Sequence, residues 1–200
     1  MLTIGVLISG SGSNLQAIID QKEKGSLPVE ISCVISNKET AYGLERAKKH
    51  GIPSYFVNPK EYSTREDHEK AIVSILKEHH VDLIVMAGYM RILTPWIIHE
   101  YQNRILNIHP ALLPSFPGAH GIQDAFNYGV KYTGVTVHIV DEGVDSGPII
   151  AQSVVSINQD DTLESLESKI HQEEHQLYPY VIGLFANDRI TLDGRKVIIK

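Results

Sequence analysis

Short β-branched runs alternate with longer amphipathic segments through the first half of the chain, and this alternation constrains the fold more than any other feature. The β-branched runs predict strands at 2–9, 30–36, 54–57, 82–86 and 105–108. The intervening segments repeat apolar residues at helical spacing and predict helices at 14–24, 42–50, 64–80 and 94–101. Because strands separated by such helices pair in parallel, we predict an α/β fold with a mostly parallel twisted sheet flanked by helices.

The second half of the chain begins with a proline-rich stretch and has a different pattern. Pro110, Pro114 and Pro117 exclude a helix or a central strand there. Beyond them we predict a helix at 123–128, strands at 133–140 and 148–155, a long helix from Leu163 and a hairpin at 190–199. Pro179 lies inside the long helical pattern and should kink or divide it. We therefore predict one domain, 1–200, whose halves are 1–108 and a mixed part at 109–200.

Composition excludes several classes of function. The chain has 200 residues, of which 42% are hydrophobic, enough for one sizeable core. A net charge of −6 argues against binding to nucleic acid or an anionic membrane. The single cysteine, Cys33, lies in an apolar run and is predicted to be a small buried hydrophobe. A lone cysteine and the lack of signal-peptide features or a membrane-length apolar stretch predict a cytoplasmic protein.

A glycine-rich loop follows the first predicted strand, where residues 9–14 read Ser-Gly-Ser-Gly-Ser-Asn. Glycines let the backbone approach a ligand, and free N–H groups at the following helix N-terminus favour an anion, so we predict phosphate binding. A dinucleotide fingerprint fits poorly because Leu15 occupies its third glycine position and no acid follows the second strand. A tight turn that binds nothing is the remaining alternative.

Asn107 and His109 stand at the end of the fifth predicted strand, where open parallel sheets place their ligands. Alternation along the strand directs both side chains to one side and Ile108 to the other. Pro110 favours an extended backbone at His109. The pattern therefore predicts that the amide and the imidazole lie side by side on a rigid strand end.

An acid should accompany this imidazole, and the turn between the two late strands supplies candidates. Asp145 is the best of them, although Asp141 and Glu142 share the same turn. A carboxylate beside His109 would favour the charged imidazolium and make it a better proton donor. The chain has no Gly-x-Ser-x-Gly elbow, and Cys33 lies in a strand. We therefore expect these groups to stabilise an oxyanion while a substrate amine attacks an acyl group.

One helical segment carries histidines at metal-ligand spacing. His171 and His175 are four residues apart, but Gln172 stands where a zinc-binding His-Glu-x-x-His helix has its glutamate. We therefore predict no metal site.

These motifs, with others along nearly the whole chain, resemble the glycinamide ribonucleotide formyltransferases of purine synthesis. The segments that carry the resemblance are 12–18, 43–47, 87–93, 106–114, 134–138 and 145–148. The resemblance implies a Rossmann-like formyltransferase fold with phosphate binding in the first half and folate and catalytic loops in the second. It further implies transfer of a formyl group from 10-formyltetrahydrofolate, a co-substrate, to the amine of 5′-phosphoribosylglycinamide, with no bound cofactor.

The resemblance also assigns residues to roles. The implied catalytic residues are Asn107, His109 and Asp145, and the implied acceptor-binding residues are Gly12, Ser13, Asn14 and Glu174. The implied folate-binding residues are Arg65, Met90, Arg91, Ile92, Leu93, Asn107, Asp141, Glu142, Gly143, Val144 and Asp145. The sequence assigns no role to His120.

Three alternatives remain open on this sequence. Methionyl-tRNA formyltransferases and formyltetrahydrofolate hydrolases are similar in their core but carry additional domains, which we do not expect in this protein. A non-catalytic nucleotide-binding module would need the glycine loop but not the Asn107, His109 and Asp145 set. The predicted partners are small molecules only, and either a monomer or a homodimer is compatible with the sequence.

Overall fold

A computed structural model describes all residues, 1–200, and contains a seven-stranded sheet in the order β3-β2-β1-β4-β5-β6-β7. The chain divides into two compact units, Met1–Leu106 and Asn107–Lys200. The boundary falls within strand β5, Ile105–His109. The organisation of 1–200 as one domain with halves 1–108 and 109–200 stays a prediction.

The first unit is an alternating β/α segment. Its strands are β1 (Leu2–Ile8), β2 (Val29–Ser36), β3 (Ser54–Phe56) and β4 (Leu83–Met86). Its helices are α1 (Ser13–Glu23), α2 (Tyr42–Lys49), α3 (Arg65–Glu78) and α4 (Pro95–Glu100), with a short 3-10 turn at Pro59–Glu61. Strand β1 pairs in parallel with β2 and β4, and β2 pairs in parallel with β3. The helix-separated strands are therefore parallel, as predicted.

Strand β1 lies between β2 and β4 and is apolar on both faces. Residues 4–8 are buried, which is typical of a parallel strand covered on each side. Gly5 makes room for helix α3, because a β-carbon at this position would lie 2.5 Å from the side chain of Leu76. Cys33 on β2 is buried as predicted, and burial raises the pKa of its thiol to about 11.

The second unit contains α5 (Gly121–Tyr128), β6 (Tyr132–Ile139), β7 (Ile149–Ser156), α6 (Leu163–Ala186), β8 (Ile190–Asp193) and β9 (Lys196–Ile199). Strands β6 and β7 are antiparallel, helix α6 packs on both of them, and β8 and β9 form the predicted terminal hairpin. The proline-rich stretch before α5 is neither helix nor strand, as expected. The mostly parallel α/β fold with a mixed C-terminal part is thus confirmed.

Helix α6 corrects one prediction. It runs unbroken through Pro179, so the proline does not divide it, while a kink there stays a prediction. Pro179 lacks the N–H that would bond to the carbonyl of His175, but Tyr178, Val181 and Ile182 around it are fully buried. Packing of this apolar face outweighs the lost hydrogen bond, since most helix stability in proteins comes from tertiary contacts. None of the helices has the length and apolar character needed to cross a membrane.

Candidate active site

The end of strand β5 brings an amide and an imidazole to one place. Asn107 and His109 both contact the carboxyl group of Asp145: Asn107 Nδ2 lies 3.5 Å from Oδ1, and His109 Nδ1 lies 3.3 Å from Oδ2. His109 is only 3% exposed, whereas Asn107 is half-buried. The three side chains that the sequence singled out are therefore in direct contact.

The loop between β6 and β7 presents Asp145. Asp141 organises this loop from within, because its Oδ1 accepts hydrogen bonds from the Ser146 hydroxyl (2.6 Å) and the Gly143 N–H (3.1 Å). Asp145 itself has φ of 50°, the left-handed conformation that costs a non-glycine residue energy and is most often tolerated by Asp and Asn. The loop thus uses Asp141 for its own structure and turns Asp145 towards His109.

Two further groups hold the carboxylate of Asp145. The Gly118 N–H donates to Oδ2 at 2.7 Å, and His138 Nε2 lies 3.7 Å from Oδ1. Burial alone would raise the pKa of Asp145, but His138, the Gly118 N–H and His109 together lower it below its usual value. Asp145 is therefore an anion at neutral pH.

Both ring nitrogens of His109 face acceptors. Nε2 lies 2.8 Å from the carbonyl oxygen of Phe116, and Nδ1 faces Asp145. A neutral imidazole can donate to only one of them, while an imidazolium donates to both. Burial nevertheless lowers the pKa of His109, and the opposing effects of Asp145 and the Phe116 carbonyl only partly offset it. The carboxylate of Asp145 raises the pKa of His109, as expected, but desolvation has the larger and opposite effect.

Replacing Asp145 by asparagine should lower the pKa of His109 further, because it removes the charge that favours imidazolium. An opposite charge at this distance typically changes a pKa by about one to three pH units. The pKa can be measured by NMR titration of carbon-labelled histidine, with the His109 signal assigned by its loss in His109→Ala. Asp124→Asn is the matched control, since it makes the same change at an exposed position of the second unit. An unchanged pKa in Asp145→Asn would contradict the pairing.

Sequence reasoning missed three groups that complete this site: the imidazole of His138, the carbonyl of Phe116 and the N–H of Gly118. His138 is 2% exposed, its Nδ1 lies 3.0 Å from the carbonyl oxygen of Ile139, and its Nε2 lies 3.2 Å from Asn107 Nδ2 and faces Asp145. The available signal for His138 was an imidazole between the apolar residues Val137 and Ile139 in a predicted strand. The other two are backbone groups, for which a sequence carries no side-chain signal.

The glycine-rich loop forms in the first unit. Gly12 has φ of 69° and precedes α1, which begins at Ser13, and Asn14 is buried in the first turn. A β-carbon on Gly12 would lie 2.7 Å from the α-carbon of Gly43, so the loop packs tightly against the start of α2. Helix N-termini favour anions, so phosphate binding at the start of α1 stays a prediction.

The other residues that are predicted to contact substrate differ in how far they are exposed to solvent. Met90 and Ile92 are 66% and 58% exposed, Arg91 is half-buried and Leu93 is buried. Arg65 is exposed at the start of α3. In the second unit, Glu142, Gly143 and Val144 are exposed in the β6–β7 loop, and Glu174 is buried on α6. His120, to which the sequence assigned no role, is exposed at the start of α5.

No group of three or more histidine, cysteine, aspartate or glutamate side chains is arranged to hold a metal ion. His171 and His175 stack on one another, with ring centroids 6.4 Å apart.

Comparison with known proteins gives consistent matches. The family model described as formyl transferase matches residues 2–182. A phosphoribosylglycinamide formyltransferase of Haemophilus influenzae is 46% identical over 192 residues, which cover 96% of this chain and 91% of that protein. A crystal structure of glycinamide ribonucleotide transformylase 1 from Symbiobacterium toebii has a TM-score of 0.97 at 47% identity, covering 100% of this chain and 94% of that one.

A longer relative matches over part of its length. The trifunctional purine biosynthetic protein adenosine-3 of Chironomus tentans is 45% identical over 194 residues. These cover 96% of this chain but 14% of that protein. The chain therefore spans a small part of this relative and nearly the full length of the bacterial one.

Proposed function

This chain belongs to the formyl transferase family, and on that premise we propose that it transfers the formyl group of 10-formyltetrahydrofolate to the amine of 5′-phosphoribosylglycinamide. The products are formylglycinamide ribonucleotide and tetrahydrofolate, a step of purine biosynthesis. The observation that carries the proposal is the contact of Asp145 with both Asn107 and His109. An anionic carboxylate, a buried imidazole and an amide donor are the groups that acyl transfer to an amine requires.

The first step forms a tetrahedral intermediate. The neutral amine of the acceptor attacks the formyl carbon, and negative charge develops on the formyl oxygen. This oxygen accepts hydrogen bonds from Asn107 Nδ2 and His109 Nε2. Both nitrogens give up hydrogen bonds that they make in the free protein to do so. Burial lowers the pKa of His109 and so favours the neutral ring in the free protein. Negative charge on the formyl oxygen then favours the imidazolium. Because this interaction is stronger in the transition state than in the ground state, it accelerates the reaction.

The second step moves one proton and breaks one bond. A proton leaves the attacking nitrogen through water to the Asp145–His109 pair. The imidazolium donates to Asp145 through Nδ1 and to the formyl oxygen through Nε2, so both ring nitrogens have acceptors while it exists. The proton then passes to N10 of the folate as the carbon–N10 bond breaks and the formyl carbonyl reforms.

For substrate binding we propose roles by unit. In the first unit, Gly12, Ser13 and Asn14 bind the acceptor phosphate, while Arg65 and residues 90–93 contact the folate. In the second unit, residues 141–145 and Asn107 contact the folate, and Glu174 binds the acceptor. The glycine loop supports the first role through its tight turn and the N-terminus of α1. A cytoplasmic location, and a monomer or homodimer with small-molecule partners only, stay predictions.

Replacing Gly12 by alanine should weaken acceptor binding. The β-carbon would strain a φ of 69° and would meet Gly43 at 2.7 Å, so the loop must move away from the phosphate. We expect the acceptor KM to rise by about tenfold, the effect of roughly one lost charge-assisted hydrogen bond, with the folate KM unchanged. Steady-state kinetics with each substrate varied measures both values.

Gly51→Ala is the control for this variant. Gly51 has a similar φ of 67° but open space around it, so it carries the backbone strain without the contact. Equal rises in both KM values for Gly12→Ala would argue against a phosphate role for the loop.

The reaction itself is tested by mixing the protein with both substrates and following the absorbance of the folate product. Transfer that depends on phosphoribosylglycinamide supports the proposal. Formate release without an acceptor would indicate a hydrolase, and an absence of turnover with retained nucleotide binding would indicate a binding module.

A further inference from the structure

The segment that joins β4 to α4, residues 87–94, has no regular secondary structure. Two polar side chains, each 3% exposed, nevertheless bond to its backbone. They are Ser9, at the end of β1, and Glu69, on α3. Buried polar groups in such positions require partners, so these bonds fix the segment at two points.

Ser9 fixes the first point. Its hydroxyl oxygen accepts a hydrogen bond from the Met90 N–H at 2.8 Å and donates to Asn37 Oδ1 at 2.5 Å. Because the hydroxyl hydrogen of Ser9 points to Asn37, a lone pair of the Ser9 oxygen is available to the Met90 N–H. The backbone at Met90 is therefore held to the end of the central strand.

Glu69 fixes the second point by bonding twice to one residue. Oε1 accepts from the Thr94 N–H at 2.9 Å, and Oε2 accepts from the Thr94 hydroxyl. Thr94 is the N-cap residue of α4, yet its side chain makes no cap hydrogen bond to that helix. A threonine at this position normally caps the helix with its hydroxyl. Here the hydroxyl donates a hydrogen bond to Glu69 instead.

Apolar side chains lie on the outside of the segment between these two points. Met90 and Ile92 are the exposed pair, while Leu93 is 6% exposed. Exposed apolar groups on a backbone that is fixed at both ends form a preorganised binding face, because little ordering remains for a ligand to impose.

We propose that Glu69, together with Ser9, is a positioning residue that holds residues 90–93 in the geometry that binds the formyl donor. This inference rests on the proposed function, in which residues 90–93 contact the folate. Glu69 acts through Thr94 and has no contact with the reacting atoms. Its loss should therefore affect donor binding more than turnover or acceptor binding.

Trp96 provides a direct measure of the segment. It is the only tryptophan of the chain, lies in the first turn of α4, and has Lys70 of α3 above its ring at 5.8 Å. In Glu69→Ala, we expect acrylamide to quench Trp96 more strongly than in the unaltered protein, because the link from α3 to Thr94 is lost. The dissociation constant for tetrahydrofolate and the KM for 10-formyltetrahydrofolate should each rise by about tenfold.

Two variants serve as matched comparisons. Glu69→Gln keeps a carbonyl oxygen for the Thr94 N–H and an amide that can donate to the Thr94 hydroxyl, so it should restore most of the donor affinity. Glu78→Gln makes the same change at an exposed position on the same helix and should alter neither fluorescence nor binding. If Glu69→Ala does not fold, Ser9→Ala and Thr94→Val test the same two fixed points separately.

The outcomes separate this inference from the proposed function. Increased quenching with unchanged donor affinity would overturn the positioning role, and so would equal losses for donor and acceptor. Unchanged quenching in Glu69→Ala would show that Glu69 does not hold the segment. If the unaltered protein bound no tetrahydrofolate, the proposed function would fail, and the inference that rests on it would fail as well. Quenching of Trp96 would still show whether Glu69 holds the segment.

Discussion

His109→Ala should lower kcat by about 10²- to 10⁴-fold, the usual contribution of a positioned acid–base group. The variant removes both the donor to the formyl oxygen and the proton carrier, while the amide of Asn107 and the carboxylate of Asp145 remain. Substrate dissociation constants should change little, because the ring of His109 is 3% exposed and contributes little binding surface. Single-turnover kinetics at saturating substrate measures the chemical step directly.

His171→Ala is the matched control for this variant, since His171 is exposed on helix α6. It should keep normal turnover and a normal melting temperature. Near-normal turnover in His109→Ala, with the fold intact by circular dichroism, would remove His109 from the mechanism.

Gly134→Ala should destabilise the second unit by about 3 kcal/mol, the upper end of the usual range for overpacking. Gly134 lies on β6 opposite Val154 of β7. A β-carbon there would lie 1.9 Å from the carbonyl oxygen of Ser153 and 2.8 Å from the side chain of Leu112. The first contact is with backbone, so the two strands must separate. For a chain of this size the melting temperature should fall by roughly 6–12 °C.

Gly25→Ala isolates the conformational part of this effect. Gly25 has φ of 76° with no atom within 4 Å of the added carbon, so only the backbone strain of roughly 1 kcal/mol remains. Urea unfolding of both variants gives the two free energies. A loss in Gly134→Ala no greater than that in Gly25→Ala would contradict the steric argument.

The fold was largely predictable because its signals are local. The strands of the first unit and the helices between them follow from apolar periodicity within windows of a few residues, and the predicted ends differ from the observed ends by only one or two residues. Pro179 is the exception. Its effect on α6 depends on the burial of Tyr178 and Val181 against the rest of the second unit, and no local pattern contains that information.

The candidate site was predictable where its residues are neighbours in sequence. Asn107 and His109 share a side of β5 because strand side chains alternate, and both contact Asp145. The choice among the acids of the β6–β7 loop required tertiary structure. Asp141 satisfies the N–H of Gly143 and the hydroxyl of Ser146, which leaves Asp145 to face the imidazole.

By itself, the sequence determined the α/β alternation, the glycine turn before α1 and the placement of an amide and an imidazole at the end of β5. Each depends on backbone geometry that repeats over two to four residues. Tertiary structure alone decided that His138, Gly118 and Phe116 complete the site, and that His109 rests with a lowered pKa. The physical reason is that desolvation and charge pairing depend on everything packed around a group, and that packing comes from residues distant in the chain.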